Sequence, residues 1–184
     1  MHRILNIYDI QEYKHYLNDA DETKVNKYVK REDQLRAIGS IVLQKDYIQT
    51  KYPLGFKEIV IQYSEFGKPG FKDLVYNISH DSDLIVIVWS DPGTSVGIDI
   101  MKQKSINIYQ FTNSFSPREK LDLNKDNFLS YWCAKEAFAK ALGLGLSIDL
   151  SSVEFIGNKI HYYGAEYKVE FIEIPFYVCI FVEI

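Results

Sequence analysis

An aspartate in the middle of an apolar segment is the first residue of this sequence that suggests chemistry. Val96, Ile98 and Ile100 alternate with Gly97 and Asp99, so the two sets point to opposite faces of a predicted strand. A lone carboxylate is costly to bury there, so a metal ion, a cationic side chain or backbone donors should meet Asp99. The alternative interpretation is an aspartate at a strand end that faces solvent.

A glutamate and a lysine follow, one turn apart on a predicted helix. Glu136 and Lys140 lie nearly opposite an apolar stripe that includes Tyr131, Ala134 and Phe138. Glu before Lys at this spacing is ordinarily an exposed ion pair that contributes a few tenths of a kcal/mol. Taken alone, the segment therefore favours a solvated helix face, and a functional interpretation depends on what accompanies it.

Two upstream segments place polar groups where a phosphate could meet them. Tyr76–Asp81 ends a short strand with Ser79 and His80, which could present a hydroxyl and an imidazole. Gly67-Lys68-Pro69-Gly70 places a cation on a loop that proline stiffens. Each segment by itself is also typical of an ordinary surface turn.

The apolar periodicity predicts the elements that position these residues. A long helical stretch is expected from about Asp21 to Tyr47 with a break near Arg31. A capping box at Ser116–Glu119 predicts a helix start, and a further helix should run from about Asp126 to Leu142 and end at Gly143. The predicted strands, rich in Val, Ile, Tyr and Phe, are Ile4–Tyr8, Ile59–Tyr63, Leu84–Trp89, Val96–Ile100, Val153–Ile156, Tyr167–Ile172 and Phe176–Val182.

Composition excludes several classes of protein. The 184 residues are 47% hydrophobic, which permits one domain or two small ones, and the formal net charge is −4, which is unfavourable for binding nucleic acid. Cys133 and Cys179 have no ligand-like spacing and are expected to be buried, reduced thiols. The N-terminus lacks an apolar signal segment, and the longest apolar run, Leu84–Trp89, is too short to span a bilayer. We therefore expect a soluble, cytoplasmic protein that binds no membrane.

The functional segments together resemble the surfactin-type (Sfp-type) 4′-phosphopantetheinyl transferases, from about Tyr28 through the final strands. The segments that match in order and approximate spacing are Gly67-Lys68-Pro69, Asn77-Ile78-Ser79-His80, Gly97-Ile98-Asp99, Trp132-x-x-Lys135-Glu136-x-x-x-Lys140 and Gly143-x-Gly145-Leu146. Any one of these segments would be weak, whereas the ordered set is specific.

The resemblance implies an α/β (α+β) fold of two similar halves that form a pseudo-dimer. Each half is a small, mostly antiparallel sheet packed with a long helix, and coenzyme A lies in the cleft between the halves. Residues 1–94 would supply the nucleotide contacts, and residues 95–184 the metal and catalytic residues. The turn-rich joint Asp91-Pro92-Gly93 agrees with this division. Because one chain contains both halves, a monomer is expected.

The resemblance also implies a reaction. Asp99 and Glu136 would hold Mg²⁺, which suits a hard cation that prefers carboxylate and phosphate oxygens. A serine of an apo acyl, peptidyl or polyketide carrier protein would attack the β-phosphate of coenzyme A, with Glu136 or a water removing its proton, and adenosine 3′,5′-bisphosphate would leave. Lys140 corresponds to the lysine that neutralises or protonates the leaving phosphate, and Lys135 belongs to the same motif.

The remaining contacts implied by the resemblance are with the nucleotide. Lys68, Ser79 and His80 match positions that contact the nucleotide and its phosphates. Arg31 and Arg36 resemble the basic pair near the 3′-phosphate and the adenine. These five residues and Lys135 are the expected coenzyme A contacts.

Met101 departs from the pattern of many bacterial relatives, which carry a carboxylate at this position as a further metal ligand. A thioether is a poor ligand for Mg²⁺, so a water or another carboxylate must replace it, although some family members, including animal ones, also have methionine. The departure keeps a non-catalytic protein that binds coenzyme A or a carrier protein as the alternative function.

Two other classes of protein fit the sequence less well. A metal-dependent nuclease could also use an aspartate followed by a Glu/Lys motif, but Glu136 and Lys140 lie on a predicted helix and lack the strand spacing of such enzymes. A structural interaction domain would require the ordered motifs to be coincidental.

Overall fold

The structure is a computed structural model that describes residues 1–10 and 13–184. Its regular elements, in chain order, are β1 (His2–Asn6), α1 (Asp19–Val25), α2 (Arg31–Gln49), β2 (Gln62–Tyr63), β3 (Pro69–Gly70), β4 (Val75–Asp81), β5 (Leu84–Ser90), β6 (Val96–Lys102), α3 (Phe128–Leu142), β7 (Glu154–Ile156), β8 (Lys159–Tyr162), β9 (Ala165–Phe171) and β10 (Tyr177–Glu183). None of the helices in these two ranges has the length and apolar character required to cross a membrane.

The strands form two antiparallel sheets, and each sheet is packed with a long helix. The first has the strand order β1-β5-β4 and lies against α2, whereas the second has the order β6-β10-β9-β8-β7 and lies against α3. A two-stranded ribbon of β2 and β3 completes the described strands. This arrangement confirms the predicted α/β class. The connection between the sheets contains the predicted boundary at residues 94 and 95, and the division into two domains stays a prediction.

Strand β5 is buried on both faces, which explains its continuous apolar sequence. Ile85 and Ile87 pack towards the buried residues of α2, whereas Val86 and Val88 pack against β6 and β10 in a separate cluster that includes Ile98. A strand that alternated apolar and polar residues would leave polar groups in one of these cores. The second cluster is therefore the apolar contact between the two sheets.

Local hydrogen bonding explains where the elements differ from the predictions. Asn6 accepts a hydrogen bond from the backbone N–H of Tyr8 at 3.0 Å, which starts a 3-10 turn, so β1 ends at Asn6 and does not continue to Tyr8. The capping box of Ser116 and Glu119 forms, but the turn that follows it is a single 3-10 turn. Strands β3 and β8 were missing from the sequence prediction, and pairing with β7 and β9 holds β8 in place.

A specific contact joins the edges of the two sheets. Strand β6 is an edge strand, and its backbone N–H groups at Ile98 and Lys102 donate to Asn77 Oδ1 at 3.3 Å and to Asp81 Oδ2 at 2.8 Å. Unpaired N–H groups on a sheet edge need partners when they are buried. Side chains of β4 provide these partners, and they fix β4 in register against β6.

Candidate functional site

A cleft of about 380 Å³ lies where the two halves meet. One wall comes from the loop before β3 and from β4, and the other from α3 and the glycine-containing turn that follows it. The residues that line the cleft are Phe66, Gly67, Lys68, Pro69, Asn77, Ile78, Glu136, Ala139, Lys140, Gly143 and Gly145. Gly143 ends α3 in the left-handed conformation, with φ of 73°, which lets the chain turn along the cleft.

Close packing of α3 on β6 positions the polar residues of this cleft. A Cβ atom at Gly97 would lie 2.0 Å from the carbonyl oxygen of Ala137 and 2.3 Å from the backbone nitrogen of Ala141. Only glycine allows the helix backbone to approach the strand this closely. The helix side chains that flank this contact therefore reach the strand residue two positions after Gly97, which is Asp99.

Asp99, Ser79 and Lys140 form one hydrogen-bonded cluster, of which Lys140 lines the cleft. The ammonium nitrogen of Lys140 lies 2.6 Å from Asp99 Oδ1 and 3.0 Å from Ser79 Oγ. The Ser79 hydroxyl lies 3.0 Å from the same Asp99 oxygen. Asp99 is only 8% exposed and Ser79 7%, so the carboxylate meets the cationic partner and the donor that its burial demands.

Glu136 faces the same cluster, and the charges of Asp99 and Lys140 act on its carboxyl in opposite directions. Burial raises the pKa of the Glu136 carboxyl, and the nearby Asp99 carboxylate raises it further, while Lys140 acts in the opposite direction. The Cys133 thiol lies beneath the same residues, and burial followed by the charge of Asp99 raises its pKa well above the usual range. The thiol therefore stays protonated, and the two carboxylates are the anionic groups of the site.

Lys68 lies in the cleft but already has protein partners. Its ammonium donates to Ser95 Oγ at 3.0 Å and to the carbonyl oxygen of Ala141 at 3.1 Å. Burial lowers the pKa of Lys68. These two contacts hold the loop before β3, in the first half, against Ser95 and the end of α3, in the second half.

His80 and the two arginines occupy the outer part of the same side. His80 is exposed, yet the surrounding protein lowers its pKa through desolvation, and the charges of Lys140 and Arg36 lower it further. Arg36 donates to the carbonyl oxygen of Ser82 at 2.8 Å and pairs with Asp33. Arg31 is exposed at the start of α2. Thus His80 and Arg36 lie near the cluster, whereas Arg31 lies at the exposed first residue of α2.

Lys135 lies outside the cleft, contrary to the prediction that it contacts coenzyme A. Its side chain is fully buried, it forms an ion pair of 2.6 Å with the equally buried Glu119, and it donates to the carbonyl oxygens of Ser114, Leu150 and Val153. A helix residue next to Glu136 points about 100° away from it. Lys135 therefore stabilises the fold beneath α3, and we omit it from the proposed site.

Met101 points to the same side of β6 as Asp99 but packs in apolar surroundings. It lies against the cores around α3, including the cluster of Phe115, Phe128 and Leu129. Within the described ranges 1–10 and 13–184, no group of three or more His, Cys, Asp or Glu side chains is arranged to hold a metal ion. Glu136 lines the cleft, and Asp99 is joined to it through Lys140, another lining residue.

These two carboxylates fit Mg²⁺ by their chemistry. Their mutual repulsion contributes to the raised pKa of Glu136, and a divalent cation between them would relieve it. Mg²⁺ is commonly held in proteins by one or two carboxylates, with substrate phosphates and waters completing the shell. Two carboxylates are thus within the range of protein ligands that Mg²⁺ sites use.

The residues that connect the halves around this site were not among those predicted from the sequence. Asn77 and Asp81 accept from the edge of β6, and Ser95 accepts from Lys68. A signal was present, since Asn77, Ser79 and Asp81 are polar at alternate positions of one strand, the spacing of a single strand face. Their partner strand could not be identified from that spacing.

The fold and the cleft define a two-part α/β protein with an acidic and basic cluster suited to a phosphate-containing substrate. Comparison with sequence models of protein families identifies a family whose substrate is of this kind. The sequence model described as 4′-phosphopantetheinyl transferase superfamily matches residues 95–177. The model described as 4′-phosphopantetheinyl transferase, N-terminal, matches residues 8–91. The two matches together cover both halves.

Individual relatives agree with the family models. The 4′-phosphopantetheinyl transferase Sfp of Bacillus subtilis is 31% identical over 163 residues, which cover 83% of this chain and 71% of that protein. A phosphopantetheinyl transferase of Thraustochytrium is 29% identical, over 76% of this chain and 57% of its own. The L-aminoadipate-semialdehyde dehydrogenase-phosphopantetheinyl transferase of Mus musculus is 26% identical, over 76% of this chain and 52% of its own. The chain belongs to the 4′-phosphopantetheinyl transferase superfamily, and it spans between about half and 71% of the length of these relatives.

Proposed function

We propose that this protein transfers the 4′-phosphopantetheine group from coenzyme A to a serine of an apo acyl, peptidyl or polyketide carrier protein. The serine oxygen forms a bond to the β-phosphorus, the bond from that phosphorus to the bridging oxygen breaks, and adenosine 3′,5′-bisphosphate leaves. The observation that carries the proposal is the cluster of Asp99, Glu136 and Lys140, of which Glu136 and Lys140 line a cleft between the two halves. Family membership supports the same reaction.

Asp99 and Glu136 are the proposed ligands of Mg²⁺. When bound there, the ion would neutralise charge on the pyrophosphate and on the transferred group. The surrounding protein already favours a cation at this position, since it holds two carboxylates close together with limited access to water. Lys140 then adds a positive charge on the side of α3.

Glu136 is also the proposed base for the carrier serine. Its carboxylate lines the cleft, where it can accept a proton from the hydroxyl of a bound substrate. Lys140 is one helical turn away, and its ammonium can stabilise the negative charge that develops on the leaving phosphate. Glu136 therefore acts on the attacking serine, and Lys140 acts on the phosphate that leaves.

The nucleotide contacts are proposed for the wall formed by the first half. Lys68 lines the cleft, and its ammonium can exchange its two neutral acceptors for a phosphate oxygen, which is the stronger, charged acceptor. His80 and Arg36 lie beside the cluster, and they can approach the 3′-phosphate. Arg31 is the outermost member of the set, with a contact to the adenine or the 3′-phosphate as its proposed role.

The carrier protein is proposed to dock near residues 111–120 of the second half. Arg118 and Lys120 are exposed there, and Leu121 next to them is 89% exposed. Carrier proteins are typically acidic, so two cations beside an apolar side chain provide complementary charge and contact area.

The proposed oligomeric state is a monomer, because the chain supplies both walls of its own cleft. The proposed location is the cytoplasm, whose reducing conditions suit the free thiols of Cys133 and Cys179.

The decisive experiment is intact-mass spectrometry of a panel of apo carrier proteins incubated with this protein, coenzyme A and Mg²⁺. The expected result is a gain of one phosphopantetheine on the carrier serine that disappears with a chelator. Asp99→Asn, which keeps the side-chain volume and removes the charge, should slow the transfer roughly 100-fold or more. Coenzyme A binding without transfer to any carrier would instead favour the non-catalytic alternative suggested by Met101.

A further inference from the structure

The turn between β4 and β5 adopts a conformation that its residues do not favour. Asp81 pairs with Leu84, so Ser82 and Asp83 form a two-residue hairpin turn. Ser82 has a φ of 53°, in the left-handed region that glycine adopts easily and serine does not. A backbone held in this way persists only when the surrounding contacts keep it in place.

Contacts from both halves of the protein hold this turn through Asp83. The hydroxyl of Tyr177 donates to Asp83 Oδ1 at 2.5 Å, and the Lys102 ammonium lies 3.3 Å from the same oxygen. The side-chain amide of Asn6 donates to Oδ2 at 3.2 Å, and the backbone N–H of Ile7 donates to the Asp83 carbonyl oxygen at 2.9 Å. Since Tyr177 and Lys102 belong to the second half, that half anchors a turn of the first.

Tyr177 is a rigid anchor for this turn. It is 8% exposed and packs in the apolar cluster between the two sheets, so its ring is fixed while its hydroxyl reaches Asp83. The hydrogen bond from Tyr177, and then Lys102, lower the pKa of the Asp83 carboxyl. The acceptor is therefore an ionised carboxylate, which forms stronger hydrogen bonds than a neutral group.

The same turn carries the first-half residues that are proposed to meet the nucleotide. Arg36 donates to the carbonyl oxygen of Ser82 at 2.8 Å. Tyr76 and Ile78 pack in the cluster beside α2, so His80, at the next alternate position, faces the same helix. A guanidinium has five N–H donors, so Arg36 can bind a phosphate while it keeps its contact with Ser82. The turn thus determines where both cationic side chains lie.

We propose that Asp83 is a positioning residue for coenzyme A: anchored by Tyr177 and Lys102, it fixes the turn that places His80 and Arg36 for the nucleotide phosphate. The affinity of the first half for the nucleotide then depends on a contact with the second half. This inference rests on the proposed function, since it assumes that His80 and Arg36 contact the nucleotide.

The test compares Asp83→Ala with a matched control, Ser90→Ala. Ser90 lies at the other end of β5 and donates to Glu183 of the second half at 2.6 Å, so its removal also deletes a hydrogen bond between the halves. Isothermal titration measures the affinity for adenosine 3′,5′-bisphosphate, without a carrier protein. The kcat and KM for coenzyme A are measured separately in the transfer assay, and the thermal unfolding midpoint compares the folding of the variants.

Asp83→Ala should weaken bisphosphate binding about 10-fold, because two side chains must then be ordered when the ligand binds. The KM for coenzyme A should rise by a similar factor while kcat stays within about twofold of the wild-type value. Tyr177→Phe, which removes only the hydroxyl, should weaken binding in the same direction by about threefold. Asp83→Asn keeps an oxygen that can accept from Tyr177 and should restore most of the affinity, and Ser90→Ala should match the wild type.

A double-mutant comparison separates positioning from general stability. In a variant that already lacks both cationic side chains, Arg36→Gln with His80→Gln, Asp83→Ala should change bisphosphate binding by less than about twofold. A residue that only stabilised the fold would weaken binding by the same factor in both backgrounds.

Wild-type affinity in a folded Asp83→Ala variant would overturn the proposal, as would the full loss in the background without Arg36 and His80. Equal losses in Asp83→Ala and Ser90→Ala would also overturn it, because they would indicate a general loosening of the two halves. The proposed function fails in a different way, by the absence of transfer from the wild-type protein to any carrier. Binding of the bisphosphate is measured without that step.

Discussion

The ammonium of Lys140, on α3, lies 2.6 Å from Oδ1 of Asp99, on β6. The same carboxylate is the proposed ligand of a divalent cation, so a lysine and a metal ion meet at one residue. Both cations are attracted to Asp99, and each raises the energy of the other when both are present. This relationship predicts that Lys140 favours transfer and opposes metal binding.

Replacing Lys140 with glutamine should separate these two effects. Transfer to the carrier protein should fall roughly 100-fold, because the charge on the leaving phosphate loses a stabilising cation. Mn²⁺ should bind more tightly than to the wild type, because a competing positive charge is removed from Asp99. Lys159→Gln, which breaks an exposed ion pair with Glu166 far along the second sheet, is the control. Weaker Mn²⁺ binding by Lys140→Gln would contradict the competition.

The protonation of His80 predicts a pH-dependent affinity for the nucleotide. Desolvation, Lys140 and Arg36 lower its pKa from the ordinary 6.5. At a pH between the folded and the unfolded pKa values, the ring is therefore neutral in the folded protein and protonated in the unfolded chain. Its contribution to stability is therefore present above about pH 6.5 and is lost as the pH falls through the folded value. A bound phosphate favours the charged ring, so binding of adenosine 3′,5′-bisphosphate should take up a proton near pH 6.5 and should strengthen as the pH falls.

Isothermal titration of adenosine 3′,5′-bisphosphate into the protein, in two buffers of different ionisation enthalpy, measures this proton uptake. His80→Gln should abolish the uptake and weaken binding at pH 6 about 10-fold, the value of one charge-assisted hydrogen bond. If the glutamine variant takes up the same number of protons, another group is responsible.

Gly97→Ala should show that the site depends on the close approach of α3 to β6. The new methyl group would lie 2.0 Å from a helix carbonyl oxygen. The atoms around it belong to the backbone, and they cannot move aside as the end of a flexible side chain can. We expect a loss of at least about 2 kcal/mol in the free energy of unfolding and a loss of transfer in the part that still folds. Unfolding in urea measures the first quantity. Gly70→Ala, where no atom lies within 4 Å, should leave stability nearly unchanged, and equal stability of both variants would refute the packing argument.

Lys135→Met tests the assignment of Lys135 to the fold. Removing the ammonium leaves the buried Glu119 carboxylate without its cation, which should cost about 3 to 5 kcal/mol of stability. The midpoint of unfolding in denaturant measures the loss, with Lys120→Met on the exposed surface as the control. The KM for coenzyme A of the folded fraction should be unchanged. A raised KM with full stability would return Lys135 to the coenzyme A site.

The sequence predicted the elements that carry strong local signals. The helix that contains Glu136 and Lys140 ends at Gly143 as expected, because glycine adopts the left-handed conformation without strain. The alternation of Val96, Ile98 and Ile100 with Asp99 correctly predicted the two faces of β6. The break before α2 was also confirmed. In each case the information lies within a few neighbouring residues.

Short elements were less predictable. The capping box at Ser116 formed but was followed by a single 3-10 turn, since a cap does not determine how far a helix continues. Strand β8 has only four residues, and it is held by pairing with β7 and β9 on either side. Pairing partners distant in the chain, or across a turn, decide such elements more than their own residues do.

The class of fold, the family and the chemical types of the groups in the site could all be predicted from the residues: two carboxylates, lysines, a serine and a histidine. Which of these groups meet depends on the three-dimensional packing. It placed Lys135 in the core beside Glu119 and away from the cleft, and it joined Ser79 to Asp99 across the two halves. Such contacts depend on how α3 packs on β6 and on how β4 is held against the edge of β6. No short-range pattern of residues specifies those distances.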